Sequence, residues 1–229
     1  IRERASLYKD SIMAQDNPTA LTLMEGLHST PARRYLSEEP ITEDIIWAIL
    51  DAAIRGPSGG NNQNWRWLVV RDQMVKNRIA GWYREGWNQL YGIRRDSVLQ
   101  GRDKDDCLGP RNYLSAEYLA NHIHEAPVWV FAILSKIAKK NNPRLGASIY
   151  GAVQNLVLAA RAYGLGATLT TLYAGYEKEV KELLRIPEDS MTMALIPLGY
   201  PNRGKWAQPK RRSVEDVTYW DYWDTSKYR

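Results

Sequence analysis

Residues 57 to 65 read Pro-Ser-Gly-Gly-Asn-Asn-Gln-Asn-Trp and join a helix-like run to a strand-like one. Glycine and proline at this density end the preceding helix and turn the chain. The same loop presents amides and bare backbone while adding no charge. That surface suits a large heterocycle with carbonyls and ring nitrogens, or a phosphate lying against backbone N–H groups. An ordinary turn is the plainer reading, because Gly, Pro, Ser and Asn are also the commonest turn formers.

The flanking segments place this loop. Thr42 to Arg55 has the spacing of an amphipathic helix, with Ile45, Ile49 and Ala52 on one face beside Ile46, Leu50 and Ala53. Thr42 is suited to the N-cap, and Glu43 and Asp44 to the positive end of the helix dipole. Trp65 to Arg71 reads as a strand whose valine pair implies burial on both faces. Gln73 to Tyr91 is helical in pattern, and so is Asn112 to His124. Between them, Gly92 to Pro110 is charged and weakly periodic, as expected of a lid, a binding loop or a mobile insertion.

Pro127 to Leu134 is a second core strand, too short to span a bilayer. Gly146 to Tyr163 is an apolar helix whose single charge, Arg161, lies near its C-terminal end, where the dipole favours a cation. Ala147, Gly151 and Ala159 form a small-residue stripe on it, open to close approach by another helix, in the same subunit or in a second copy. Gly164-Leu165-Gly166 stops this helix. Ala167 to Leu172 then reads as extended, Glu177 to Leu184 as a short helix and Met191 to Leu198 as a strand. The elements alternate too irregularly for a βαβ series, so the chain is read as one α+β domain over residues 1–229.

Composition narrows the function classes. At 229 residues, roughly 70% of the unfolded surface can be buried, so no disulfide or metal staple is needed. The single Cys107 excludes an intrachain disulfide and fits a reducing, cytoplasmic setting. The net charge of +5 includes basic clusters at Lys136, Lys139, Lys140, Arg144 and from Arg203 to Arg212. A nucleic-acid-binding module could be built on such charge, but acids are interspersed throughout, and a solvated surface is expected instead. Nine Trp and fourteen Tyr stand against one Phe, which favours surfaces packed and wet at once. His28, His122 and His124 have no evident catalytic partner and read as surface or helix-end residues.

Four landmarks together carry a resemblance. They are Ala32-Arg33-Arg34-Tyr35 with Pro40-Ile41; the Pro57-Ser58, Asn61, Gln63, Trp65 spacing; Gly164-Leu165-Gly166 leading into Leu169-Thr170-Thr171; and Gly199-Tyr200-Pro201 followed by Lys210-Arg211-Arg212 and Ser213 to Val217. In order and separation they resemble the FMN-dependent nitroreductase superfamily. The resemblance implies a central mixed or antiparallel sheet flanked by helices, and a homodimer with FMN at its interface. It also implies an N-terminal extension over about 1–30, a lid-like insertion over about 82–110 and a C-terminal arm over about 205–229 that embraces the partner.

By the same resemblance, hydride passes from NADH or NADPH through the flavin N5 to a small conjugated acceptor, and no side chain acts as the catalytic group. No nucleic acid, membrane or metal is implied. Arg33 is expected at the FMN phosphate, with Lys210 and Arg211 completing a cationic pocket. Pro57, Ser58, Asn61 and Gln63 are expected along the ribityl chain and ring, and Leu169, Thr170 and Thr171 at the N5 and O4 edge. One departure stands out: Ser29-Thr30-Pro31 stands where an Arg and a polar or basic residue are common in that superfamily. A phosphate ligand is therefore missing or comes from elsewhere, Arg34 or the downstream cluster being the evident substitutes. Trp82, Tyr83, Trp87 and Tyr91 repeat at helical spacing and could stack on a flat acceptor or pack on the body. Tyr219, Trp220, Tyr222 and Trp223 make the tail too aromatic for a free end. A branch of the fold performing reductive dehalogenation or flavin fragmentation is the alternative.

Overall fold

The computed structural model describes residues 21–102, 109–137 and 142–223. Cys107, Lys139, Lys140 and most of the N-terminal extension lie outside them. The elements, in chain order, are α1 (Leu23–Ser29), α2 (Glu43–Ala53), β1 (Trp65–Val70), α3 (Gln73–Leu90), α4 (Arg95–Leu99), α5 (Pro110–His122), β2 (Val128–Leu134), α6 (Tyr150–Ala162), β3 (Gly166–Ala167), α7 (Glu177–Leu184) and β4 (Met191–Gly199). The strands form one antiparallel sheet in the order β1-β2-β4-β3.

Side-chain alternation along β2 sorts the two cores. Val128, Val130, Ala132 and Leu134 face α2 and α6, whereas Trp129, Phe131 and Ile133 face α3, α5 and α7. All seven residues are buried, as a central strand covered on both faces must be. The β2–β4 register slips between Ala132 and Ile133, because β4 carries one extra residue there. That bulge lets Met193 and Ala194 both join the α2–α6 core.

β1 differs from expectation. It is an edge strand, with Arg66 exposed and Trp67 to Val69 only half-buried, so its valines mark one packed face and a partly covered one. The helix expected from Gly146 begins at Tyr150. Pro143–Ser148 is a 3₁₀ turn in which Asn142 Oδ1 accepts from the Arg144 N–H at 3.0 Å. The charged stretch after Gly92 is helical as far as Leu99, with a 3₁₀ turn over Gly92–Arg94 and then α4. It is held by buried Val98 and by Arg95 Nε donating to Glu117 at 2.8 Å. Only Gly166–Ala167 of the extended run after α6 is strand, although Thr170 makes an isolated bridge to Leu195.

Helix α6 organises the first core. Its N-terminal half lies against the end of α2: a Cβ on Gly56 would sit 2.8 Å from the Ala152 nitrogen, so only glycine allows that approach. Past its C-terminal end, Gly164 takes φ +73, the left-handed conformation that reverses the chain into β3. No helix among the described residues is long and apolar enough to cross a membrane.

Candidate functional site

The amide loop is tightly folded and outward-facing. Gly60, Asn61 and Gln63 have φ of +58, +52 and +46. Two of these are not glycine, so the backbone holds a conformation L residues seldom adopt. Local bonds hold it there. The Ser58 hydroxyl accepts from the Gln63 N–H at 3.1 Å, Gln63 Nε2 donates to Asn61 Oδ1 at 3.1 Å, and the Gly59 N–H donates to Ser148 Oγ at 3.3 Å. The Asn61 side-chain NH₂ and Gln63 Oε1 keep their bonding capacity for an incoming group. Pro57 abuts Gly151, which puts the loop at the N-terminal end of α6.

A cationic cluster lies at the other end of α6. The Arg33 guanidinium donates to the carbonyls of Arg203, Gly204 (3.0 Å) and Lys205 (3.1 Å). It lies over the Trp206 ring at 4.8 Å, and Arg161 lies over the same ring at 4.0 Å. Burial, and then the Arg161 charge, lower the Arg33 pKa. Arg161 is 8% exposed, and its Nε has no hydrogen-bond partner. Among the described residues neither arginine forms a salt bridge.

Arg34 points elsewhere, as the successive residue of an extended segment does. It donates to Ser115 Oγ at 3.2 Å, beside Tyr83 and Tyr35. Burial lowers its pKa, and no carboxylate is among the groups that act on it. Lys210 and Arg211 are exposed, and Arg211 Nη1 turns back onto the Lys210 carbonyl at 3.1 Å. Their segment is tied to α1 through Gln208 and His28.

The third group follows β3. The Arg33 N–H donates to the Ala167 carbonyl at 2.9 Å, so the cationic cluster and the Leu169–Thr171 segment belong to one strip of backbone. Leu169 and Thr171 are exposed. Thr170 exchanges both its backbone bonds with Leu195, so only its side chain can serve a ligand, and its hydroxyl pairs with Tyr83 OH at 2.8 Å. Burial pushes the Tyr83 phenol up to about 12. Between its ordinary value of 10.0 and that value, the unfolded chain gives up a proton that the folded chain keeps. Stability therefore falls as pH rises through this window. Tyr83→Phe is expected to flatten that alkaline limb of a urea-denaturation series, while costing about 1 kcal/mol at neutral pH through the unpaired Thr170 hydroxyl.

The aromatic repeat on α3 packs inward. Tyr83 and Trp87 are buried, Trp87 stacks on Tyr91 at 5.0 Å, and half-buried Trp82 stacks on Tyr176 at 6.4 Å. The sequence reading gave Arg161 only a helix-dipole role and did not single out Trp206 or Gly86. A lone arginine inside an otherwise uncharged helix was the available signal for the first.

These groups suit a flat, polar, phosphorylated guest: uncharged amides at one end, unpaired cations at the other, and a buried guanidinium nitrogen awaiting an acceptor. They hold and orient; the reactive chemistry of such a site belongs to the guest.

Comparison with known proteins gives the family and the fold. The nitroreductase family model matches residues 28–200, and the chain belongs to that family. It is 28% identical to the iodotyrosine deiodinase of Thermotoga neapolitana over 80% of this chain and 89% of that protein. It is 29% identical to the NADH dehydrogenase of Thermus thermophilus over 82% and 90%. In fold it is similar to an iodotyrosine deiodinase structure bound to FMN and 3-iodo-L-tyrosine, with TM-score 0.65 and 23% identity over 84% of this chain and 97% of that one. It is likewise similar to a nitroreductase with bound FMN from Desulfitobacterium hafniense, with TM-score 0.64 and 19% identity over 86% and 97%.

Proposed function

We propose that the protein is an FMN-dependent oxidoreductase. It takes hydride from NADH or NADPH and delivers it to a nitroaromatic, a quinone or a similar conjugated acceptor by a ping-pong route. When bound, the flavin supplies the hydride chemistry; the chain supplies the cradle. Asn61 and Gln63 offer amides to the ring and ribityl chain, with Pro57 and Ser58 shaping the loop. Arg33 faces the anionic part, Lys210 and Arg211 add charge from the exposed segment that follows, and Leu169 to Thr171 line the reactive edge.

One observation carries this reading. The amide loop and Arg33 lie at opposite ends of α6, about 15 Å apart for the ten residues from Gly151 to Arg161. One chain does not close the site. Tyr150, Gly151 and Gln154 leave that helix an exposed stripe, continued by half-buried Val157. A two-fold axis through the stripe runs two α6 helices antiparallel and brings the loop of one copy to the Arg33 end of the other. The exposed Tyr222 and Trp223, at 75% and 84%, then suit an arm laid on the partner.

The purified protein is expected to be yellow, and anaerobic NADH or NADPH to bleach it, with reoxidation by a nitroaromatic or quinone. A preparation that stays colourless after incubation with FMN overturns the proposal. The iodotyrosine deiodinase relative favours a second reading, reductive dehalogenation on the same flavin. Halide release from 3-iodo-L-tyrosine, with no turnover of nitroaromatics, would select it.

A further inference from the structure

We propose that Arg161 is a phosphate ligand of the bound flavin, acting with Arg33 across Trp206; the inference rests on the flavin reading above. Two guanidiniums share one indole ring, at 4.0 and 4.8 Å, without a carboxylate in ion-pair range among the described residues. The acid that acts on Arg161 is Glu25 of α1, and it does so from beyond ion-pair distance. Three backbone carbonyls engage Arg33. Arg161 has the indole face and a buried Nε with no acceptor.

A buried cation without an anion costs free energy that packing alone does not return. Such an arrangement makes sense where an anion completes it. A phosphate monoester suits this pair, because the Arg161 fork has no protein acceptor among the described residues and Arg33, though engaged by three carbonyls, adds its charge.

Position identifies the phosphate as the flavin's. Arg33 is bonded to Ala167, two residues before the Leu169–Thr171 edge, so the cluster and that edge can serve one extended ligand. The segment that lacks its usual cation is also accounted for. The hydroxyls of Ser29 and Thr30 donate back to the α1 carbonyls of Glu25 and Gly26, at 2.7 and 2.6 Å. Arg34 turns toward Ser115. Arg161 therefore supplies the charge that this segment does not.

FMN and riboflavin differ only by the phosphate, so their affinities for the full-length apoprotein isolate its contribution. Wild type should bind FMN far more tightly than riboflavin. Arg161→Gln should weaken FMN roughly 10- to 100-fold, the range for a hydrogen bond to a charged group, and leave riboflavin unchanged. Arg161→Lys should keep part of the preference and serves if the glutamine variant folds poorly. The melting temperature of apo Arg161→Gln should equal or exceed that of the wild type, since an unpaired buried charge is removed.

Equal weakening of both flavins, or a lower apo melting temperature, would make Arg161 a structural residue and overturn the assignment. Unchanged FMN binding would also overturn it, as would an effect confined to the NADPH-over-NADH preference, which would assign the cluster to the nicotinamide's phosphate. If wild type binds neither flavin, the flavin reading fails as well. Tight FMN binding that is indifferent to Arg161 removes this inference alone.

Discussion

Gly86→Ala is expected to destabilise the protein by about 3 kcal/mol, at the upper end for overpacking a core. A Cβ at Gly86 would stand 2.0 Å from the Leu172 carbonyl oxygen. Both partners are backbone, so no side chain can rotate away. Either α3 lifts from the body or the segment after Thr171 shifts. Because Leu172 directly follows Leu169–Thr171, the variant should also bind FMN more weakly than its remaining folded fraction explains. Gly81→Ala is the control. It lies in the same helix with nothing within 4 Å of its added Cβ, and it should be neutral or stabilising by up to about 1 kcal/mol. Urea denaturation of the two variants checks the pair. Equal stabilities would mean that α3 and Leu172 do not meet as described.

What the sequence made legible follows from local rules. The α2 helix was readable because Ile46, Ile49, Leu50 and Ala53 recur at helical spacing, and all four are buried. β2 and β4 were readable as apolar runs bounded by turn residues. The amide loop was readable because its residue types are rare together, and its left-handed backbone accounts for the density of Gly and Asn.

Other features depend on residues far apart in the chain. That β1 is an edge strand follows from sheet order, which its valines do not encode. Spacing placed Trp82, Tyr83, Trp87 and Tyr91 on α3 but could not say which way they faced. Packing against Tyr113 and Phe131 turned the middle of that series inward. Arg33 and Arg34 looked equivalent as neighbours. Their opposite directions come from partners about 170 and 80 positions later, Lys205 and Ser115. Arg161 read as a helix-dipole cation until Trp206 brought it beside Arg33.

The shared site across a two-fold axis is the claim on which the functional account rests, and mixing two defective copies addresses it directly. An Arg33→Ala/Arg161→Gln variant removes both cations that lie over Trp206 at the α6 C-terminal end, and a Ser58→Ala/Asn61→Ala variant removes the Ser58 hydroxyl and the Asn61 amide from the loop. Each should form a dimer poor in flavin, since every site in it lacks one half. Co-expression with different affinity tags, followed by purification through both, yields the mixed dimer. If the loop of one copy serves the Arg33 end of the other, one of its two sites is wholly wild type. The mixed dimer should then carry about half the wild-type complement of FMN, read from its absorbance spectrum. A mixed dimer as empty as either parent would place the loop and cations of one chain in the same site and contradict the account.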